Sequence, residues 1–328
     1  MTDSTNAVNP AVPQTRKVPL QERAVRVGDV IVVNAQRVQR AHLTERLVKA
    51  GYQVQETPHF LLFTRAVSTF LAHWFTQQEL DTQIIDYLAR ELPDLPQVTT
   101  QQGLGTLVTG IVGSSIPGDP RRAWTAFGTN TLQRLLVLLS AAVLPASPHY
   151  ETLGGYAILY QRVLELSVGT RLLDAGCKLG LLPLVLADRI PFVHEIIGVD
   201  RDAAALRVGT TLATERGVRQ VRYLQMDLCS TEVHSLGLFD TVIALHVLHH
   251  CTEADRVHIL QNLLQITTHR LLLTVPYEQA TEHGQRFSHD TFEALGAWCL
   301  EQLGSAGRLW CEDLVGGGLL LIERHHPA

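Results

Sequence analysis

The sequence predicts an α/β fold, with a mostly parallel sheet flanked by helices in its second half and a smaller α+β unit before it. Two observations carry this. From Tyr156 onward, short apolar strands alternate with helical stretches, the pattern of βαβ units. The last two strands are separated only by Gly316-Gly317-Gly318, a turn too tight for a crossover, so they must be antiparallel.

The elements are predicted in chain order. Residues 1–24 are polar and Pro-containing and read as a flexible tail. In the unit over 25–148, Val30 to Val33 reads as a strand, and Val38 to Ala50 as a helix stopped by Gly51. Gln53 to Arg65 reads as one strand, and Ala66 to Phe75 and Gln78 to Leu92 as helices. Gly103, Gly105, Gly110 and Gly113 read as a loop or a glycine-tolerant apolar element; no G-K-[ST] follows, so they form no phosphate-binding loop. Ala123 to Leu144 reads as a helix, and Pro145 and Pro148 mark the boundary to a second domain over 149–328. There Tyr156 to Leu166 is helical. Strands follow at 170–173, 195–199, 221–225, 239–245, 270–275, 308–314 and 318–324. Helices are predicted at 181–189, 203–216, 253–267 and 288–303.

Composition narrows the function. Hydrophobic residues make up 46% and charged residues 18%, enough apolar material for a buried core. The net charge of -5 speaks against a general nucleic-acid binder. Five cysteines at irregular spacing, with no C-x-x-C, suit reduced thiols in the cytoplasm rather than a disulfide framework or zinc site. The first twenty residues lack the apolar run of a secretory leader, and no apolar run reaches the roughly 18 residues of a membrane span.

The chemistry concentrates at strand ends. The first strand of the second half runs into Asp174-Ala175-Gly176-Cys177-Lys178-Leu179-Gly180. A Gly-rich strand-to-helix turn lets a ligand approach the backbone and aims amide N–H groups at it. The second strand ends at Asp200, placed to accept hydrogen bonds from ribose hydroxyls. The third ends Gln225-Met226-Asp227-Leu228. The fourth runs from Phe239-Asp240 to His246, followed by Val247-Leu248-His249-His250.

Together these segments, from about residue 150 to 326, resemble class I S-adenosylmethionine-dependent methyltransferases of the small-molecule type. The first turn is similar to the family motif D-x-G-x-G-x-G, with Lys178 where the middle glycine usually stands. The resemblance implies a Rossmann-like seven-stranded sheet with an antiparallel last strand, and S-adenosylmethionine as cofactor. Cofactor contacts are then expected at Asp174, Gly176, Cys177, Lys178, Gly180, Asp200, Arg201, Met226, Asp227, Leu228 and His246. Two readings of Lys178 stand open: its ammonium approaches the cofactor carboxylate, or it points to solvent from the start of the helix. The segment from Val275-Pro276-Tyr277-Glu278 to His283 and Phe287 also resembles methyltransferases acting on sugars and glycans, including the mycofactocin type.

Methyl transfer from a sulfonium needs alignment and, for a hydroxyl acceptor, a base. Imidazole suits that task near neutral pH, so His249, His250 and His246 are the candidate catalytic residues. Tyr150, Tyr156, Tyr277, Glu278 and His283 are the candidate acceptor contacts, with ordinary packing as the alternative for Tyr150 and Tyr156. No metal site is expected, because the histidines lack a carboxylate at known ligand spacing. The expected partner is a small-molecule acceptor. The first unit is expected to cap the acceptor site or to mediate a homodimer. The competing readings are a non-catalytic scaffold with a methyltransferase fold, and an RNA methyltransferase, which lacks support from an N-P-P-Y-like tetrapeptide.

Overall fold

A computed structural model describes residues 24–66, 68–141, 152–277, 287–304, 307–314 and 316–324. The first unit is a five-stranded sheet in the order β1 (Ala24–Val27), β2 (Val30–Asn34), β5 (Ser68–His73), β4 (Phe60–Arg65), β3 (Gln53–Glu56). Only β2 and β5 run parallel. Helix α1 (Arg40–Lys49) packs Leu43 and Leu47 onto one face with Val33, Leu61 and Phe63. The other face meets α2 (Gln83–Glu91) and α3 (Gln101–Ser115).

Three expectations are corrected here. Residues 68–73, expected to be helical, form the central strand β5. Leu71 and Ala72, on opposite faces of this strand, are both fully buried, so Phe70-Leu71-Ala72 is apolar without alternation and mimics a buried helix segment. Gln53 to Arg65, expected as one strand, is a hairpin broken around Thr57, whose N–H donates to the Phe60 carbonyl. Of the stretch from Gln78 to Leu92, only Gln83–Glu91 is α-helix; a short 3-10 turn precedes it. The glycines at 103–113 lie within helix α3. A Cβ on Gly110 would come 2.7 Å from the Val32 side chain, so the missing side chain lets α3 lie close on β2. The predicted tail ends within β1, which begins at Ala24; residues 1–23 lie outside the described residues.

The second unit holds the seven-stranded sheet, in the order β11-β12-β10-β9-β6-β7-β8. Its strands are β6 (Arg171–Ala175), β7 (Glu195–Asp200), β8 (Val221–Gln225), β9 (Phe239–Leu245), β10 (Thr267–Pro276), β11 (Gly307–Leu314) and β12 (Gly317–Arg324). β12 is antiparallel to both neighbours, and the other pairings among β6 to β10 are parallel. Leu172, Leu173, Ile196, Val242, Leu271 and Leu272 are wholly buried between the helical layers. Each such side chain contributes about 1.5–3 kcal/mol, and burial on both faces suits the unbroken apolar runs of these strands.

The helices are α5 (Leu153–Leu166), α6 (Leu181–Arg189), α7 (Ala203–Glu215), α8 (Glu253–Ile266) and α9 (His289–Gln302). Their starts follow the polar residues ahead of them: Thr152, Asp202, Thr252 and Ser288 each accept a backbone N–H of the first turn. The remaining helix, α4 (Pro120–Leu138), is shared. Ala123 and Phe127 belong to the core of the first unit, and Leu132 and Leu135 to a core of the second.

The topology fixes where a ligand can sit. From β6 the order runs to β7 and β8 on one side, and to β9 and β10 on the other. Such a reversal opens a crevice outside the carboxyl ends of the strands.

Candidate functional site

Along this edge the strand ends present, in space, His246 after β9, the turn Gly176–Gly180 after β6, Asp200 at the end of β7, and Asp227 after β8. The predicted cofactor residues are thus brought to one side of the sheet.

The turn after β6 is built by its backbone. Gly176 (φ 83°) and Gly180 (φ 69°) lie in the left-handed region that L side chains avoid. The N–H groups of Gly176 and Cys177 both donate to the Val199 carbonyl, at 2.8 and 2.9 Å. That clamps the turn against the end of β7. Lys178 also has positive φ (51°), which costs a non-glycine residue about 1–2 kcal/mol.

The Asp200 carboxylate is fixed by two backbone donors: Lys178 N–H at 2.8 Å and Asp202 N–H at 2.9 Å. A carboxylate offers about four lone-pair sites, so it retains capacity for two hydroxyls. Asp200 is half-buried, so it can be reached. On β8's side, Asp227 is exposed and accepts from Cys229 N–H, Met226 is half-buried, Leu228 is buried and Arg201 is exposed. Asp174 lies beneath the turn, 2% exposed; burial pushes its carboxyl up to about 8, with the Asp200 charge adding to the shift. Cys177 is buried, and burial holds its thiol far above the usual range, so it is an unreactive packing group.

Sequence reasoning missed the prop under this turn. The Tyr223 ring of β8 is wedged among three glycines that are far apart in the chain. A Cβ on Gly180, Gly198 or Gly209 would come within 2.2, 2.8 or 2.9 Å of it. Its hydroxyl donates to the Gly180 carbonyl at 2.6 Å. No local signal marks Tyr223; only the coincidence of three glycines in space reveals it. Thr274 was missed as well: its carbonyl and its Oγ1 both accept the His246 N–H, each at 3.1 Å.

The three histidines after β9 come together, with ring centroids 5.9 Å apart for His246 and His249, and 3.8 Å for His249 and His250. Their environments differ. His246 has positive φ (54°) and is half-buried as a residue, but both its ring nitrogens are shut off from solvent. Burial pushes its pKa down to about 3, and the nearby His250 and Lys178 charges push the same way. His249 is 3% exposed, and its ring nitrogens make no hydrogen bond among the described residues. Burial first, then His250, His246 and Lys178, lower it to about 2. Both rings are therefore neutral at physiological pH and resist taking up a proton. His250 is the exposed member of the three.

Next to His246 a small cavity of about 10 Å³, room for about one water, lies between α5 and the β10–β12 edge. Ile158, Leu159, Thr274 and Leu314 line it together with glycines. Of the predicted acceptor contacts, Tyr156 is half-buried on α5 beside Tyr160. Tyr277 packs over Gly318 and donates its N–H to the Gly316 carbonyl at 3.0 Å. Tyr150, Glu278 and His283 lie outside the described residues.

Residues 172–269 match the family model described as a methyltransferase domain. Residues 172–269 are thus a methyltransferase domain, and the seven-stranded sheet with its antiparallel last strand around it is the fold of the class I, S-adenosylmethionine-dependent type. Uncharacterized methyltransferases of Mycobacterium tuberculosis and Mycobacterium bovis are 38% identical to it over 99 residues, which is 29% of this chain and 47% of theirs. The chain thus spans about half the length of the curated relatives it matches. Solved structures are similar more loosely. An O-methyltransferase family protein from Burkholderia thailandensis is 11% identical, covering 88% of this chain and 84% of its own, at a TM-score of 0.48. The magnesium protoporphyrin IX methyltransferase of Synechocystis, solved with bound S-adenosylmethionine, is 18% identical, covering 62% and 94%, at 0.40.

The turn and the strand ends fit this cofactor. Gly176 and Gly180 allow close backbone approach, and Asp200 keeps two acceptor positions for a diol.

Proposed function

We propose that this chain methylates a hydroxyl of a small molecule, a natural product or sugar, in the cytoplasm. The observation that carries this reading is the Asp200 carboxylate, oriented by two backbone N–H groups beside the Gly176–Gly180 turn. When bound, S-adenosylmethionine supplies an activated methyl group on a cationic sulfur. The residues of the chain then have three tasks. Asp200 takes the ribose hydroxyls, and the backbone of the turn admits the ligand closely. The aliphatic side chains of Ile158, Leu159 and Leu314 beside His246 keep water away from that side of the crevice. A histidine after β9 takes the hydroxyl proton. His250 suits that role best, because it is the exposed member of the three, whereas burial opposes the charged forms of His246 and His249. The unit over 25–148 acts as an accessory cap. The five free thiols support a reducing compartment.

The test is calorimetric titration with S-adenosylmethionine and S-adenosylhomocysteine. The native chain is expected to bind both, and Asp200→Ala to weaken binding by about a hundredfold, the loss of two charge-assisted hydrogen bonds. A folded native chain that binds neither would replace this reading with the non-catalytic scaffold.

A further inference from the structure

A free sheet edge presents an open row of N–H and C=O groups that can pair with another chain, and folds blunt it by keeping the edge strand short, polar or interrupted. The edges β1, β3 and β8 are short, with four, four and five residues. The fourth edge, β11, is not. It has eight residues, contains no proline, and pairs with β12 in an unbroken register from Gly307 to Leu314. No strand among the described residues lies on its outer side. It also carries Trp310, a large aromatic side chain that is 40% exposed. Arg308, Trp310 and Glu312 alternate along the strand and so share one face of the sheet. Arg162 of α5 stands on that face, its guanidinium 4.8 Å from the Trp310 ring centre and its Nε 2.9 Å from Glu312 Oε2. Arg308 is exposed and makes no ion pair among the described residues.

A two-fold axis perpendicular to the sheet would pair this edge with its own copy, antiparallel, and keep every side chain on its own face. The possible registers then differ only in which residue sits on the axis. With Trp310 there, Arg308 of each copy faces Glu312 of the other. Arg308, Glu312 or Asp313 on the axis sets a charge against its like, and no residue other than Trp310 brings Arg308 opposite a carboxylate. The strand is therefore complementary in charge to itself in one register. We propose that β11 is the interface of a homodimer in which two copies join edge to edge about an axis through Trp310, so that their sheets become continuous. The two indole rings meet at the axis, each backed by Arg162, and an Arg308–Glu312 pair flanks them on either side. Leu314 at the end of β11 lines the space beside His246, so the pairing braces the strand that supplies this wall of the crevice.

The experiment is sedimentation equilibrium of the full chain over about 1–100 µM, since one strand pair is a small interface and a dissociation constant in the micromolar range is expected. Arg308→Glu sets carboxylates against carboxylates at both ends of the pairing and is expected to weaken the dimer at least about tenfold, while Arg308→Lys stays within about threefold of the native chain. Circular dichroism checks that each variant is folded. Mild oxidation reads the register separately. Trp310→Cys places a thiol opposite itself across the axis and should give a disulfide-linked dimer above the background of the native chain with its five thiols. Arg308→Cys should not, because the two copies of that position lie about 13 Å apart in this register. A native chain that stays monomeric throughout would overturn the proposal. So would a dimer that Arg308→Glu leaves unchanged, which would lie on another surface, and so would cross-linking of Arg308→Cys as readily as of Trp310→Cys.

Discussion

Replacing Tyr223 by alanine is expected to destabilise the fold by about 3 kcal/mol, the low end of the range for deleting a buried aromatic, since the residue is half-buried. It should also abolish cofactor binding at micromolar ligand. The ring fills the space bounded by Gly180, Gly198 and Gly209, and none of those positions has a side chain to collapse into the void. The loss also frees the Gly180 carbonyl, so the turn that precedes α6 loses its side-chain hydrogen bond from β8. Tyr223→Phe separates the two contributions. It keeps the ring and removes the hydrogen bond, costing about 1–2 kcal/mol. Urea unfolding of the three proteins measures the energies, and titration with S-adenosylhomocysteine measures the site. An alanine variant as stable as the native chain would mean that the ring supports nothing.

Asp174→Asn is expected to change how stability depends on pH. The folded-state pKa of Asp174 is raised from an ordinary 3.8 to about 8. A raised pKa stabilises the fold fully below the unfolded value, and that contribution is lost as pH rises through the folded one. The native chain should therefore lose stability, relative to the asparagine variant, between about pH 4 and pH 8. The gap at pH 8 should be of the order of a few kcal/mol. His246 and His249 act at the acid end with the opposite sign. Their pKa values are lowered, so their contribution is present above about 6.5 and is lost as pH falls towards 3 and 2. They remain in both proteins, so the difference between the two melting-temperature curves isolates Asp174. Parallel curves from pH 5 to 9 would show that the carboxyl is ionised in the folded chain.

The second half of the fold was legible because its strands are short, apolar and separated by helices with polar caps. The observed limits of α6, β8 and β9 coincide with those expected from sequence. The first half was not. β5 is central and covered on both faces, so its apolar run lacks the period of two that identifies a strand. Helix α3 carries glycines for close packing, and in sequence these look like a loop. At the site, Asp174, Gly176, Gly180 and Asp200 were legible because a strand end followed by a Gly-rich turn leaves a local signature. Tyr223 and Thr274 were not, since their roles arise from neighbours brought together only by sheet order. The difference between His249 and His250 was invisible too: adjacent residues of one type differ only in which of them the fold shields from water.

Helix α4 has a consequence for how the molecule comes apart. Ala123 and Phe127 at one end sit in one core, while Leu132 and Leu135 at the other sit in another. Between them, Gly128 lets α4 lie against Val208 and Leu212 of α7, where a Cβ would come within 3.0–3.1 Å. A rod embedded in two cores cannot leave one without disturbing the other. The two units should therefore melt together, as a single calorimetric transition with matching van't Hoff and calorimetric enthalpies. Two resolved peaks would show that α4 belongs energetically to one unit alone. If melting is cooperative, a segment that looks like an accessory attachment is part of what keeps the methyltransferase half folded.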